Sequence, residues 1–177
     1  MMLQKAEIMD KSAVSRAIAR ISYEILERNK GVNNLCIIGI LSKGSYIANS
    51  IANKIFEIEG KKVEIGMLDI TPYRDDEKAN NYEDRTKIEF DVTDKKVVLV
   101  DDVIYTGRST RAAIEAIMKR GRPKNIQLAV LIDRGHREIP IRADYVGKNV
   151  PTSTEETVLI SKDENDIVDR VAIFTKQ

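Results

Sequence analysis

The run Leu35–Leu41, LCIIGIL, contains no polar side chain. A strand with one wet face alternates apolar and polar residues, so a strand without a polar position is covered on both faces. Val97–Val100, VVLV, has the same character, and Ile126–Ile132 departs from it only at Gln127. Helical periodicity separates these runs. Asp10 stands as a cap before Val14, Ala17, Ile18, Ile21 and Ile25, which recur at helical spacing, and Asn29–Gly31, NKG, supplies the stop. A second helical pattern runs from Tyr46 to about Glu59, a strand follows at Val63–Ile70, and a third helix is expected from about Ser109 to Arg120. Strand and helix alternation of this kind predicts an α/β fold, a mostly parallel sheet with helices on both faces.

Two segments break the alternation. From Thr71 to Asp94 the periodicity vanishes, and YRDDEKANNYEDRTK is too long for an ordinary connection, so a flexible functional loop or a surface hairpin is expected over about 71–94. From Ile139 onward come short apolar pieces without helical spacing, which predict an irregular lobe over about 139–177 appended to a core of about 10–135. At 177 residues with 42% apolar content the chain suits a single domain, 1–177, with a full core. Lys plus Arg is 29 against 28 for Asp plus Glu, which excludes a surface coated in positive charge. That balance conceals the stretch Lys119–Arg142, where seven basic residues face two acidic ones. The one cysteine, Cys36, cannot form an internal disulfide and falls inside an apolar strand, where it reads as inert core. No apolar run approaches the roughly 18–20 residues that span a bilayer, and MMLQKAEIMD lacks the pattern of a signal peptide. A cytoplasmic protein with no membrane partner is expected.

The chemistry concentrates in VVLVDDVIYTGRST, Val97–Thr110. Ligands of an open parallel sheet bind beyond the carboxyl ends of its strands, where Asp101 and Asp102 are expected to lie exposed. Tyr105, Thr106, Gly107, Arg108 and Ser109 then offer backbone N–H groups and hydroxyls at a helix N-terminus, a cradle for a phosphate monoester. Carboxylates beside an anion cradle suit a sugar phosphate, because they accept hydrogen bonds from ribose hydroxyls while the loop holds the phosphate. The competing structural explanation is an Asp that merely caps the next helix. Ser42, Lys43 and Gly44 follow the first buried strand and can face a pyrophosphate; Arg74 is the best candidate in the long loop to neutralise its charge. Gly39–Ser45, GILSKGS, approaches a nucleotide-triphosphate loop, but Ser45 stands where that loop requires lysine. Asp133 ends another strand and is a candidate to hold Mg²⁺ through water, since Mg²⁺ keeps several waters and takes few carboxylates. His136, the only histidine, is not assigned as a general base.

Four aliphatics, two acids, two aliphatics and then aromatic-Thr-Gly-Arg-Ser resembles the phosphoribosyl pyrophosphate signature of type I phosphoribosyltransferases. QKAEIMD, ERNKGVNNLCIIGI, DITPYRDD and GRPKNIQLAVLIDRGHREIPIRADYVGKNVPTS extend the resemblance to the family of pyrimidine operon attenuation regulators that are also uracil phosphoribosyltransferases. The resemblance implies a type I fold whose C-terminal lobe is a hood binding uracil, and conversion of uracil and phosphoribosyl pyrophosphate to UMP and pyrophosphate. It also implies a homodimer or homotetramer, and an RNA-binding surface for a messenger RNA leader stem-loop at Arg16, Arg20, Arg28, Arg137 and Arg142, favoured by UMP or UTP. The chain departs from the family at Lys43, where an arginine usually precedes the glycine; lysine keeps the charge without the bidentate fork. Ala19 and Tyr23 stand where some relatives carry polar side chains. Two other readings remain open from the sequence: a phosphoribosyltransferase for another base such as hypoxanthine or guanine, and an RNA-binding regulator that keeps the nucleotide site only as a sensor.

Overall fold

The computed structural model describes residues 1–76 and 81–176; residues 77–80, in the middle of the expected loop, lie outside the described residues. The strands are β1 Met2–Met9, β2 Leu35–Ile40, β3 Glu64–Leu68, β4 Lys96–Ile104, β5 Asn125–Asp133, β6 Tyr145–Asn149, β7 Glu156–Lys162 and β8 Val168–Lys176. The helices are α1 Lys11–Asn29, α2 Lys43–Glu59 and α3 Arg108–Met118. Among the described residues two sheets form: a parallel one in the order β3-β2-β4-β5-β6, and an antiparallel one in the order β1-β8-β7.

The apolar runs are explained by the two cores they feed. Leu35 and Ile37 of β2 and Val98 and Val100 of β4 point into the layer of α1 and α2. Their neighbours Cys36, Ile38, Val97 and Leu99 point the other way, among Ala112, Ala113, Ala116 and Ile117 of α3. A strand residue alternates faces along the pleat, so a strand covered on both sides has no position for a polar group. Burial pushes the Cys36 thiol up to about 12, in keeping with an inert core residue. In α1 the Asp10 carboxylate accepts from the Ala13 N–H at 2.8 Å, a cap worth about 1 kcal/mol. At the other end Lys30 is left-handed, and Gly31 at φ 101° donates to Leu26 O at 3.0 Å, so NKG stops the helix as expected. Ile21 and Ile25 are fully buried, each contributing roughly 1.5–3 kcal/mol. No described helix is long and apolar enough to cross a membrane.

Three expectations are corrected. The C-terminal part is regular: β6 joins the parallel sheet beside β5, and β7 and β8 pair antiparallel. The core therefore extends past residue 135 to Asn149. The small sheet is completed by β1 from the other end of the chain, which pairs with β8. This sheet packs onto the α1 and α2 core through Val158, Ile160, Val168, Val171 and Ile173. Finally, β4 does not stop at Val100 but continues through both acids to Ile104.

Candidate active site at the switch point of the sheet

Strand order places β3 on one side of β2 and β4 on the other, so the chain reverses direction across the sheet between β2 and β4. The loops leaving those two strands part there, opening the crevice in which α/β sheets bind ligands. A cavity of about 330 Å³ lies there, walled by Asp101 and by Tyr105 to Thr110. A second, of about 350 Å³, is walled by Ser42, Asp69, Arg85, Asp101 and Asp102. Arg74 and Asp101 border both, which makes them one crevice.

Each motif has a packing reason. Gly39 and Gly44 let α2 lie against the sheet: a Cβ at Gly39 would be 2.7 Å from Ser45 Cα, and one at Gly44 would be 2.7 Å from Val100 O and 3.1 Å from Asp101 Cα. The near match to a triphosphate loop thus reflects close helix–strand contact. Gly44→Ala is expected to push the start of α2 off β4, destabilising the protein by about 1–3 kcal/mol and weakening ligand binding next to Asp101. A thermal melt with a turnover assay checks this; unchanged values in both would mean that the helix start yields freely.

The loop from Tyr105 to Ser109 is held from behind. Thr106 O accepts from the N–H groups of Glu138 at 2.9 Å and Ile139 at 3.2 Å, and Tyr105 O accepts from Arg137 Nη1 at 2.9 Å. These carbonyls are turned toward the segment after β5, and the loop and the first turn of α3, where helix N–H groups lack intrahelical acceptors, line the cavity; the Arg108 N–H donates to Thr106 Oγ1 at 3.2 Å. Gly107, at φ 92°, is the N-cap of α3 and adopts the left-handed turn this requires.

Asp101 is buried, 8% exposed, rather than open at a strand end as expected. Its Oδ1 accepts from the Asp102 N–H at 2.8 Å, and Asp102 Oδ1 accepts from the Val103 N–H at 2.8 Å. Burial, with the adjacent Asp102 carboxylate second, raises the Asp101 carboxyl well above the ordinary carboxylate range. Ser42, the N-cap of α2, lines the crevice, whereas Lys43, the first residue of that helix, is half-buried and is not among the residues that wall either cavity. Arg74 closes Nε and Nη2 on the two oxygens of Asp76 at 2.8 and 2.7 Å, a fork that holds the Asp76 carboxyl down at about 2. Arg108 donates to Asp75 at 2.6 Å and Arg111 to Tyr73 O at 2.6 Å, mooring the start of the long connection onto α3.

Both Asp133 carboxylate oxygens accept hydrogen bonds within the protein. Its Oδ1 accepts from the Gly135 N–H at 3.0 Å and its Oδ2 from Arg137 Nη2 at 2.6 Å. Arg137 spends its remaining donors on Ile141 O and Tyr105 O, so it sits beneath the phosphate loop. The other basic positions gather around β6. Arg20 donates to the carbonyls of Val146 at 3.1 Å and Gly147 at 2.6 Å, and Arg28 pairs with Asp144 at 2.7 Å and lies over the Tyr145 ring. Arg142, two residues before Asp144, is exposed, and Arg16 donates to Ser12 Oγ at 2.7 Å.

Sequence reasoning missed Asp69, Arg85 and Arg134. A signal existed for the first: β3 leads into an aspartate as β4 and β5 do. Arg134 is 7% exposed and donates to Thr152 Oγ1 at 3.1 Å, Ser153 O at 3.0 Å and Glu156 O at 2.7 Å. Its guanidinium lies 4.0 Å over the Tyr105 ring, which also meets His136 edge-on at 5.8 Å. Arg134 and His136 line a third cavity, of about 460 Å³, with Asn149 to Thr152. Tyr105 therefore links the phosphate loop to this neighbouring cavity.

Comparison with known proteins agrees with this geometry. The chain is 55% identical over 180 residues to "Bifunctional protein PyrR" of Bacillus cereus strain AH820, covering 99% of this chain and 100% of that protein. The same figures hold for the protein of that name in Bacillus thuringiensis subsp. konkukian strain 97-27. Among solved structures, a Trypanosoma cruzi hypoxanthine phosphoribosyl transferase is similar with a TM-score of 0.74 at 18% identity, covering 96% of this chain and 91% of that one. A hypoxanthine phosphoribosyltransferase from Staphylococcus aureus is similar with a TM-score of 0.68 at 17% identity, covering 84% and 78%. At such identities the two structures speak for the fold alone. Residues 4–163 match the phosphoribosyl transferase domain, and a signature strand, an acidic pair and a phosphate loop meeting at one switch point make this chain a member of the phosphoribosyltransferase family.

Proposed function

We propose that the protein transfers the phosphoribosyl group of phosphoribosyl pyrophosphate to uracil, and that it also binds a messenger RNA leader stem-loop as an attenuation regulator of pyrimidine biosynthesis genes. The observation that carries the enzymatic half is the crevice in which Asp101 and Asp102 face the same space as the N–H groups at the start of α3. The choice of uracil and the regulatory half are supported by full-length similarity to proteins named bifunctional.

In this reading Tyr105 to Ser109 hold the 5-phosphate, and Asp101 and Asp102 meet the ribose hydroxyls. The C1–oxygen bond breaks with its electron pair leaving on pyrophosphate, and uracil N1 forms the new bond to C1 as its proton passes to the departing pyrophosphate or to solvent. Positive charge develops on the sugar and negative charge on the leaving group. Lys43 and Arg74 stabilise the latter, and the fixed loop spares the reorganisation water would need. The cavity of Arg134, His136 and Thr152 takes the base. The donor set fits Mg²⁺, which takes few carboxylates and keeps several waters: the carboxyls of Asp101 and Asp102 line the crevice, and Asp133 would reach such an ion through water. Asp101 and Asp102 supply the hard oxygens nearest the phosphates, and such an ion would offset phosphate charge there.

Arg16, Arg20, Arg28 and Arg142 are the RNA-facing set in this reading, Arg137 lying beneath the loop instead, and the active species is a cytoplasmic homodimer or homotetramer. Pyrophosphate release with uracil, hypoxanthine and guanine tests the enzyme. Release with uracil is expected; release with a purine instead selects the other base, and RNA binding without any release leaves a sensor. Arg16→Glu with Arg142→Glu, which spares the Arg20 contacts to β6, should weaken stem-loop RNA binding at least tenfold and lower its salt slope by roughly one to two, with turnover unchanged. Unaltered RNA affinity would remove this face from the regulatory role.

A further inference from the structure

The crevice wall that faces the leaving group carries one arginine fork with nothing to hold. Arg85 donates Nε to Asp69 Oδ2 at 3.1 Å, and among the described residues its two terminal nitrogens have no protein partner. Its side chain is 65% exposed, on the same wall as Ser42, Asp101 and Asp102. The other arginines nearby already carry carboxylate partners, Arg74 on Asp76 and Arg108 on Asp75 and Glu138, so Arg74 must exchange its partner to meet the leaving group. Lys43, at the start of α2 on the β2 side, has no fork.

Arg85 is fixed at the root of the long connection. Lys87 exchanges two backbone hydrogen bonds with Met67, at 2.9 and 2.8 Å. Thr86 Oγ1 accepts from the Asp69 N–H at 3.0 Å. Ile88 is buried against Gly66, where a Cβ would be 2.8 Å away. Asp69, 4% exposed, ties both ends of the connection together, since its Oδ1 accepts from Thr71 N and Oγ1 at 3.2 and 2.6 Å while its Oδ2 takes Arg85. Burial alone would raise the Asp69 carboxyl, but the Thr71 and Arg85 hydrogen bonds outweigh it and keep the group ionised, below its ordinary value.

We propose that Arg85 is a further binding residue for the pyrophosphate end of the substrate, aimed into the crevice by Asp69 as a positioning carboxylate. The inference rests on the phosphoribosyl-transfer reading above. A guanidinium anchored by Nε keeps a pair of parallel N–H donors, the geometry that grips two oxygens of a phosphate at once. In this chain that fork supplies from the β3 side what Lys43 cannot give from the β2 side. The 5-phosphate, held at the far end of the crevice by Tyr105 to Ser109, does not depend on it.

Calorimetric binding of inorganic pyrophosphate with Mg²⁺, and separately of UMP, tests the assignment. Arg85→Gln should weaken pyrophosphate binding roughly ten- to hundredfold, the worth of hydrogen bonds to a charged group, and leave UMP binding within about twofold. Arg85→Lys should recover part of the loss by charge alone, and Asp69→Asn should lower pyrophosphate affinity with Arg85 still present. Equal pyrophosphate affinity in wild type and Arg85→Gln overturns the proposal, as does a parallel loss of UMP binding, which would make Arg85 only structural. A wild-type protein that binds neither ligand overturns the transfer reading itself along with it.

Discussion

Replacing Asp101 and Asp102 together by Asn is expected to lower turnover by roughly 10²- to 10⁴-fold, while Asp101→Asn alone makes the protein more heat-stable. In the proposed reading each position gives the ribose one hydrogen-bond acceptor that is charged in the complex, worth about 1.5–3 kcal/mol or ten- to hundredfold apiece. The stability gain follows from burial. Asp101 is 8% exposed beside a second carboxylate, and its pKa is raised. For a carboxyl raised on folding the sign is opposite to that of a salt-bridged one. Below the unfolded value of about 3.9 both states are protonated and nothing is lost; as pH rises toward the folded value, the unfolded chain alone releases its proton and stability falls. Asn lacks this dependence, so the Tm advantage of Asp101→Asn should open above about pH 4 and widen upward, each kcal/mol relieved appearing as roughly 2–4 °C. Melts from pH 4 to 8 with a parallel turnover assay check both halves. A variant with full activity, or one whose Tm advantage is flat with pH, would remove Asp101 from its place as a strained ribose ligand.

Arg134→Met is expected to be the most damaging single change outside the acidic pair. The side chain is buried and its partners are neutral, so what it supplies is directional donors to Thr152, Ser153 O and Glu156 O, with the Tyr105 ring beneath it. Methionine fills much of the same volume but removes all three hydrogen bonds, at about 0.5–1.5 kcal/mol each, and the guanidinium over the Tyr105 ring, at about 0.5–2 kcal/mol, although Ser153 O keeps the Glu156 N–H at 3.3 Å. The expected fall is about 2–6 kcal/mol, on the order of 10 °C in Tm. Because Thr152 and Arg134 wall the third cavity and Tyr105 belongs to the phosphate loop, the KM for uracil should rise more than that for phosphoribosyl pyrophosphate. Arg134→Lys should recover little, since one ammonium cannot reach three acceptors in the guanidinium plane. Equal effects on both KM values would assign Arg134 to stability alone.

The parallel sheet was legible because burial on both faces erases alternation, and LCIIGIL or VVLV admits few other readings. Asp10 and NKG marked the ends of α1 for reasons local to a few residues. β1 and β6 were not legible. In MLQKAEIM only Met9 is buried, and the strand exists because β8 offers it a ladder from the other end of the chain. In YVGKN a glycine and a lysine hide the pattern, while Arg20, Arg28 and Asp144 secure the strand from outside. The limits of β4 were misjudged for the same reason, since carboxylates in a chain look like a strand's end whereas here the ladder with β5 runs on through them to Ile104.

By itself the sequence determined the class of fold, the acidic pair followed by a phosphate loop, and the family, because these depend on contiguous residues whose spacing survives without a structure. The tertiary structure alone decided which charges are spent and which are available. Asp133 and Arg137, 4 positions apart, neutralise each other beneath the loop, whereas Asp69 and Arg85, 16 positions apart, leave a fork facing the crevice. A sequence lists the charges, but an ion pair forms only where folding brings two of them within hydrogen-bond reach, and that distance is set by the packing of β3, β4 and the connection between them.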